Sequence, residues 1–292
     1  MAIGKVIYSS GGNYKVLIKG RVYFAKPLGI FRNEKIKIIV GDNVEVQINE
    51  NKHGLEEINV ITKLLKRKNE FIRPNISNVD NAILVTSITN PKLNDFYLDK
   101  LITIFNSKNV EPILIFSKSD LLKNDEKIEK IINEYRNSGF KILTTDNKIT
   151  FFQKKLLHKW TKDKLSVITG QTGVGKSTLL NNLNDKLHLK TGEISQALGR
   201  GKHTTRHSEA FEIFKNSYIV DTPGFSSLNI NQLSKNEISW NFMDFEKYAG
   251  KCKFSNCLHI YEAKCEIKKM NYSKRTMKNY EKLLEEKDNY NV

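Results

Sequence analysis

The sequence contains few cysteines and prolines and no long apolar run. Of its 292 residues, three are Cys and five are Pro. Three cysteines are too few for a disulfide scaffold, and no segment approaches the roughly 18 consecutive apolar residues that a membrane helix requires. The first residues also lack the apolar core of a signal peptide. We therefore expect a cytoplasmic protein with no membrane partner.

Acidic residues are scarce relative to basic ones. The chain has 48 Lys and Arg residues against 32 Asp and Glu, which gives a formal net charge of +16. Only 8 of the basic residues are Arg, and such a lysine-rich composition can reflect an AT-rich genome. The positive surplus nevertheless remains uncancelled, and it suggests a polyanionic partner, with nucleic acid as the first candidate.

The order of short apolar segments divides the chain into three predicted domains. Residues 1–65 read as short strands separated by Gly-rich turns, including a strand over 36–40, and favour a small barrel of the OB type. A small β-domain with a packing role is the alternative. Residues 66–228 alternate buried strands, such as 165–169 and 217–220, with helices, such as 126–137, which predicts a mostly parallel α/β sheet. Residues 229–292 are polar and helical, apart from a cysteine cluster.

One segment matches the phosphate-loop pattern G-x-x-x-x-G-K-[ST] in full. It follows an apolar strand and leads into a helix, which is the context that a working phosphate loop requires. Its backbone N–H groups and Lys176 would hold the phosphates of a nucleotide, and Ser177 would bind Mg²⁺. The predicted nucleotide-binding residues of this loop are Gly170, Gln171, Thr172, Gly173, Val174, Gly175, Lys176, Ser177 and Thr178.

Two further motifs follow the phosphate loop. Asp221 and Gly224 belong to an Asp-Thr-Pro-Gly sequence at the end of a buried strand, where the carboxylate can hold Mg²⁺ and the Gly224 N–H can sense the γ phosphate. Between the loop and this motif lies a basic, Gly-rich segment, residues 199–207, with tandem threonines. Thr204 or Thr205 is predicted to complete the Mg²⁺ shell, and a solvated basic loop is the alternative.

A candidate base-reading motif precedes the phosphate loop instead of following it. Guanine is usually read by [NT]-K-x-D at a strand end, and here an apolar strand runs into Ser-Lys-Ser-Asp. Asp120 would accept hydrogen bonds from N1 and N2 of guanine, and the short backbone loop Thr144-Thr145-Asp146 at the end of the next strand would touch O6. An ordinary helix cap is the alternative for this motif. The predicted base-contacting residues are Ser117, Lys118, Ser119, Asp120, Thr144 and Thr145.

The inferred order of motifs is a circular permutation of the GTPase sheet, with the base-reading motif first and the phosphate motifs second. Permutation is tolerated because chain termini usually lie at the surface and close together.

All three cysteines lie close together near the C-terminus, beside one histidine. The spacing is C-x4-C-x-H-x5-C, and three thiolates with one imidazole make the four-ligand set of a structural zinc site. Four protein ligands leave no open position for catalysis. We predict one structural Zn²⁺, and three reduced cysteines beside a surface histidine are the alternative. The predicted ligands are Cys252, Cys257, His259 and Cys265.

Together these motifs resemble the ribosome small subunit-dependent GTPase A family, circularly permuted GTPases of bacterial 30S maturation. The resemblance covers nearly the whole chain and includes Arg73-Pro74 followed by Asn78-Val79-Asp80. It implies a circularly permuted P-loop GTPase domain between an N-terminal OB-like barrel and a C-terminal helical zinc-knuckle domain. The implied activity is hydrolysis of GTP to GDP and phosphate with Mg²⁺, stimulated by the 30S ribosomal subunit. The implied partner is 16S rRNA, and we expect a monomer.

Two departures from the family pattern are visible. The family usually has Asn where this chain has Ser117, which is shorter and can weaken base recognition, and the phosphate loop has Gln171-Thr172 where the family commonly has Ser before Gly173, for which we expect little effect. Phe225 stands where Ras-like enzymes place a water-orienting Gln, and the resemblance implies that His203 supplies this catalytic function; Lys176 is the other predicted catalytic residue, through its contact with the phosphates. The rival functions are a nucleotide-gated RNA-binding protein with negligible turnover and an ATPase that uses the same phosphate loop.

Overall fold

A computed structural model describes residues 1–49, 59–72, 74–121, 125–184, 208–220 and 228–288. In chain order the strands are β1 Ala2–Ser10, β2 Asn13–Ile18, β3 Arg21–Pro27, β4 Asn43–Gln47, β5 Asn59–Leu64, β6 Glu70–Phe71, β7 Ile76–Ser77, β8 Asn81–Ser87, β9 Glu111–Ser117, β10 Lys141–Thr145, β11 Leu165–Thr169, β12 Ser208–Phe214 and β13 Ser217–Val220. The helices are α1 Gly29–Asn33, α2 Asp95–Asn106, α3 Glu126–Asn137, α4 Phe151–Thr161, α5 Lys176–Leu183, α6 Lys235–Asn241 and α7 Lys274–Asp288. No helix within these described ranges is long and apolar enough to cross a membrane.

The described residues form two compact units. The first unit combines residues 1–81, 148–168 and 176–225, and the second combines residues 82–147, 169–175 and 226–292. The division into three domains at residues 65 and 228 stays a prediction.

The first unit begins with a closed five-stranded barrel. Strands β1, β2 and β3 are antiparallel neighbours, β3 pairs with β5 in parallel, β5 pairs with β4, and β4 returns to β1. Because successive side chains of a strand point to opposite faces, alternate residues fill the interior. The buried side chains of this core include Val6, Val16, Ile18, Val44, Val46 and Ile61. The predicted barrel is confirmed.

The prediction of a strand over residues 36–40 is wrong, because this segment forms no strand. The backbone N–H of Ile39 donates to a carboxylate oxygen of Asp42 over 2.8 Å, and the N–H of Asp42 donates to the Ile39 carbonyl over 3.2 Å. The segment therefore folds back on Asp42 and contributes only an isolated bridge at Val40. The fifth barrel strand is β5. A short apolar run has the same pattern in a buried strand and in a buried loop, so periodicity could not separate them.

Beyond the barrel, the first unit continues the same sheet. Strand β1 also pairs with β12, where Tyr8 lies opposite Glu209, and the Lys15 ammonium lies 2.8 Å from the Glu209 carboxylate. Strand β12 pairs with β13, which pairs in parallel with β11. All five residues of β11 are buried, as expected for a strand covered on both faces. The barrel and the strand that leads to the phosphate loop thus share one hydrogen-bonded sheet.

The second unit contains strands β10, β9 and β8, in that order, with helices α2 and α3. Strands β9 and β10 are parallel, and Ser117 lies opposite Thr145 in their register. All seven residues of β8 are buried. Helix α3 begins where Asp125 caps it by accepting a hydrogen bond from the Lys127 N–H. The predicted alternation of strands and helices is confirmed, and it brings the residues that follow β9 and β10 to the same edge of the sheet.

A buried polar network attaches the C-terminal helix α7 to α2. The Arg275 guanidinium lies 2.8 Å from the Asp95 carboxylate, and the Asn279 amide donates to Asp99 over 2.7 Å. The Tyr135 hydroxyl donates to the same Asp99 carboxylate over 2.6 Å. Burial raises the pKa of Asp99 to about 6, against the opposing effect of Arg275. The C-terminal region is therefore held to α2 by hydrogen bonds and ion pairs of buried and partly buried polar groups.

Candidate nucleotide site and metal centre

The phosphate loop passes so close to strand β8 that its first residue has to be glycine. Gly170 has a φ of +149°, and a Cβ at this position would lie 2.0 Å from the Val85 carbonyl oxygen. No side chain can be accommodated at such a distance. The glycine that opens the motif is thus required by the loop's own packing as well as by phosphate binding.

Two consecutive residues at the end of β9 hold two consecutive carbonyl groups of the phosphate loop. The Ser117 hydroxyl donates to the Val174 carbonyl over 2.6 Å, and the Lys118 ammonium donates to the Gly173 carbonyl over 2.9 Å. The same ammonium also donates to the Asn90 carbonyl. In a trans peptide the N–H points away from the preceding carbonyl, so these bonds turn the following N–H groups to the opposite side of the loop. That orientation is what a phosphate-binding loop requires.

Ser117 is buried, and its hydroxyl has two carbonyl neighbours. Besides Val174, the Thr86 carbonyl oxygen lies 3.2 Å from the Ser117 oxygen. A hydroxyl has one proton, and both neighbours can only accept. The proton is therefore committed to the protein backbone.

The remaining base-reading residues line the same edge of the second unit. Asp120 is exposed and belongs to a single 3-10 turn, Ser119–Leu121. The Ser119 hydroxyl donates to Asp146, which follows β10. Thr145 is buried and Thr144 is exposed. The structure thus brings both predicted base-reading segments together. It also adds Asn90, which lies in a loop that no local motif links to this site.

The last three motif residues open helix α5 in the first unit. Lys176 is its first residue, Ser177 is buried, and Thr178 is half-buried. The start of a helix carries unpaired N–H groups and a partial positive charge, which favours an anion. Other predicted site residues lie outside the described part of the chain, namely His203, Thr204, Thr205, Asp221 and Gly224.

The four predicted zinc ligands converge in the second unit. The Nδ1 atom of His259 lies 3.3 Å from Sγ of Cys265 and 3.7 Å from Sγ of Cys252, and these two sulfur atoms are 4.0 Å apart. With the sulfur of Cys257, the four ligand atoms all lie within 4.8 Å of one another. Tetrahedral zinc with Zn–S bonds of about 2.3 Å separates its sulfur ligands by about 3.8 Å, so the donor set fits this metal.

The surroundings of the cluster favour a cation. The His259 ring packs edge-on against Trp240 at 4.6 Å between ring centroids, and burial lowers the pKa of this imidazole, which favours the neutral form that binds metals. Burial, together with the neighbouring sulfurs of Cys265 and Cys252, raises the pKa of the Cys257 thiol to about 12. Three thiolates can therefore coexist here only if a metal ion compensates their charge.

Glu262 shapes the loop that carries His259, and the sequence did not reveal this role. Its carboxylate accepts hydrogen bonds from the backbone N–H groups of Leu258, Ile260 and Tyr261 over 2.6, 3.0 and 3.1 Å. His259 itself has a φ of +61°, which is uncommon for a residue with a side chain. The three amides stabilise the turn that points the imidazole at the sulfur atoms.

Family models match two consecutive parts of the chain. The model for the RsgA GTPase matches residues 64–231, and the model for the RsgA N-terminal domain matches residues 3–55. The chain belongs to the RsgA GTPase family. Among curated relatives, the small ribosomal subunit biogenesis GTPase RsgA of Geobacillus kaustophilus is 41% identical over 270 residues, which cover 92% of this chain and 90% of the relative.

Solved structures of related proteins share the fold over the whole chain. YloQ, described as a circularly permuted GTPase, is 31% identical with a TM-score of 0.79, covering 99% of this chain and 96% of YloQ. YjeQ from Thermotoga maritima is 28% identical with a TM-score of 0.80, covering 98% of each chain. Membership of the RsgA GTPase family confirms the predicted resemblance and fold class. The roles of individual site residues stay predictions.

Proposed function

We propose that this chain hydrolyses GTP to GDP and phosphate as an assembly factor of the small ribosomal subunit. One observation of the structure carries this proposal: Ser117 and Lys118, at a strand end, hold the Val174 and Gly173 carbonyls of the phosphate loop. The base-reading and phosphate-binding motifs thus form one preorganised arrangement in the order of a permuted GTPase. The biogenesis role is inferred from relatives that are small ribosomal subunit biogenesis GTPases.

The predicted site residues would have different roles in GTP binding and phosphoryl transfer. The loop N–H groups and Lys176 would bind the β and γ phosphates and stabilise the charge that develops on the transferred group. Ser177 would be one ligand of Mg²⁺, with Asp221 and either Thr204 or Thr205 as the others, and the metal would neutralise phosphate charge when bound. Asp120 would select guanine through its exposed carboxylate.

His203 is the proposed catalytic residue that positions water. Because Phe225 replaces the usual Gln, another side chain has to orient the attacking water, and a neutral imidazole can do so near pH 7. Contacts between 16S rRNA and the basic residues around His203 would place the imidazole at the attacking water, so we expect slow turnover alone and faster turnover on the 30S subunit.

The four converging side chains of the C-terminal region would hold one structural Zn²⁺. Cys252, Cys257, His259 and Cys265 supply three thiolates and an imidazole, which is the four-ligand set of a structural zinc site. The metal would stabilise the loops of a region with few strands or long helices of its own.

The test is multiple-turnover release of phosphate from GTP, measured with and without purified 30S subunits. We expect the subunit to accelerate turnover. Lys176→Ala should lose nucleotide binding, and His203→Ala should keep GTP and 30S binding but lose most of the stimulated rate. Absence of turnover with saturating subunits would instead indicate a nucleotide-gated RNA-binding protein.

An ATPase is the second candidate, and the hydrogen bonding of Ser117 is what favours testing it. Its only proton is directed at the Val174 carbonyl, so base selection depends on Asp120. Competition of ATP against bound GDP decides between the two nucleotides. We expect ATP to displace GDP only at concentrations far above those of GTP.

A further inference from the structure

The first turn of helix α4 carries two adjacent phenylalanines that face solvent. Phe151 is 83% exposed and Phe152 is 72% exposed, whereas Leu157 and Thr161 form the fully buried side of the same helix. Burial of a phenyl ring is among the larger stabilising contributions that one side chain can make. The fold does not use either ring, so a pair of them at one place indicates a partner.

Lysines occupy the same side of the helix as the two rings. At about 100° per residue, Lys155, Lys159 and Lys162 fall within the arc of about 100° that separates Phe151 from Phe152. All three lysines are exposed. These five residues are called the Phe–Lys face below.

The chain segment that carries the Phe–Lys face is basic. Residues 147–162 include five lysines and no Asp or Glu, and the nearest acidic residues in the sequence are Asp146 and Asp163 at its two ends. The first turn of α4 has no acidic residue either, although acidic residues are favoured there by the helix dipole. The charged side chains of helix α4 are therefore all lysines. A polyanion recognises such a uniformly positive helix.

We propose that the Phe–Lys face binds unpaired RNA nucleotides, with the phenyl rings stacked on bases and the lysines near phosphates. This rests on the proposed function, because it takes the RNA of the small ribosomal subunit as the partner. Aromatic rings combined with cations bind single strands, since every base has a face on which a ring can stack. Paired bases are already stacked, so loops, bulges and ends are the expected targets.

The dimensions suit a short stretch of RNA. Phe151 and Lys159 are eight residues apart, which is about 12 Å along a helix axis. A stack of bases rises by about 3.4 Å per nucleotide, so the face spans a few nucleotides. Lysines beyond the rings would then contact the backbone that enters and leaves the stack.

The test measures binding of the full chain to a single-stranded RNA of about ten nucleotides and to the matching duplex. The Phe151→Ala/Phe152→Ala variant should bind the single strand at least about tenfold more weakly, with little change for the duplex. Ile72→Ala is the matched control, because Ile72 is also an apolar side chain of the first unit and is 71% exposed. It should bind both RNAs like the parent.

Two further variants separate stacking from charge. Phe152→Trp should keep the parent affinity, and its indole emission should be quenched when the single strand binds. Lys155→Gln/Lys159→Gln should lower the slope of log affinity against log salt by about 1.4, whereas the Phe→Ala variant should leave the slope unchanged. Quenching and salt slope report the mode of contact, which a merely structural role would not change.

Three outcomes distinguish the possibilities. Parent-like binding of single-stranded RNA by the Phe→Ala variant overturns the proposal. Parent-like RNA binding with weakened binding to 30S subunits also overturns it, and assigns the face to a protein partner. If the parent does not bind 30S subunits but binds single-stranded RNA through the two rings, the proposed function fails and this inference stands. Unchanged thermal unfolding of the variants excludes a folding defect.

Discussion

The phosphate loop and the cysteine cluster are both parts of the second unit, but they are held in different ways. In the loop, the Gly173 and Val174 carbonyls already have donors from Lys118 and Ser117. In the cluster, His259 and the cysteines direct their ligand atoms at a common centre. The loop is held by hydrogen bonds to its own carbonyl groups, whereas the cluster brings together three sulfurs and an imidazole whose combined charge a metal ion would compensate.

This difference agrees with what each site has to do. A nucleotide site that cycles between GTP and GDP has to keep its shape when the ligand leaves, and preorganisation lowers the cost of binding it again. A structural metal remains bound, so its ligands need no stable arrangement without it. Four experiments test these two sites and the polar network between α7 and α2.

Removing a ligand from the cluster should have the largest effect. Freshly purified parent should contain about one Zn²⁺ per chain, and Cys257→Ser should contain almost none, because a three-ligand site binds far more weakly. The variant should lose stability in the C-terminal region while nucleotide binding is largely kept. Elemental analysis measures the zinc content. Tyr261→Ala is the control, because it changes a side chain near the cluster that is 91% exposed, and it should contain as much zinc as the parent. A metal-free parent prepared without chelators would contradict the site.

Asp120→Asn should weaken nucleotide binding and leave the zinc content of the cluster unchanged. The change removes an acceptor for N1 and N2 of guanine and introduces a donor, so GTP affinity should fall by about a hundredfold, the size of a lost charge-assisted hydrogen bond. Preference should move towards xanthine nucleotides. Asp163→Asn, another exposed aspartate, is the control for charge. Unchanged GTP affinity would show that the Ser-Lys-Ser-Asp motif is an ordinary helix cap. The zinc content should be unaffected in either case.

The pH dependence of stability tests the role of Asp99 in the polar network that joins α7 to α2. Burial raises its pKa to about 6, above the value of about 3.9 for an unperturbed aspartate. Its contribution to stability is therefore fully present below pH 4 and is lost as the pH rises through 6. Relative to Asp99→Asn, the parent should lose about 2 kcal/mol of unfolding free energy between pH 4 and pH 7. Urea unfolding across this range measures the difference, and parallel curves for the two proteins would disprove the raised pKa.

Substitutions of Ser117 should have the smallest effect on nucleotide affinity, and two of them can be compared directly with the parent. Ser117→Ala removes a hydrogen bond to the Val174 carbonyl, so GDP affinity should fall by about threefold to tenfold. Ser117→Asn offers two N–H donors, one for this carbonyl and one for an acceptor of the base, and should bind GDP a few-fold more tightly than the parent. Titration with a fluorescent GDP analogue measures both. Equal affinities in all three proteins would show that the loop holds its shape without this bond.

The sequence predicted best where one physical effect dominates. Strands β11 and β13 are short, continuous apolar runs, and both were predicted with the observed bounds. Helix α3 was also predicted from Glu126 to Asn137, since Asp125 and Gly139 mark its ends. Residues 36–40 were mispredicted because the carboxylate of Asp42, and not a neighbouring strand, bonds the backbone there.

Helix α4 was missed because its pattern is unusual. Phe151 and Phe152 are apolar but exposed, so they obscure the helical periodicity. The local signal that could have found it is the capping box, in which Thr150 and Gln153 exchange hydrogen bonds. At the nucleotide site the motif residues were found by their spacing. The bond from Lys118 to the Asn90 carbonyl was not, because it joins two loops that only the folded chain brings together.

The pairing of β1 with β12 has a consequence for any attempt to divide the protein. Because Tyr8 and Ser9 lie opposite Glu209 and Ser208, the first barrel strand covers the border of the sheet that includes β13 and β11. A truncated chain that starts after the barrel would expose β12 as an unprotected edge strand. Exposed edges pair readily with other chains, so such a fragment would tend to aggregate. The barrel thus acts as a protective cover for its neighbour as well as being a small fold in its own right.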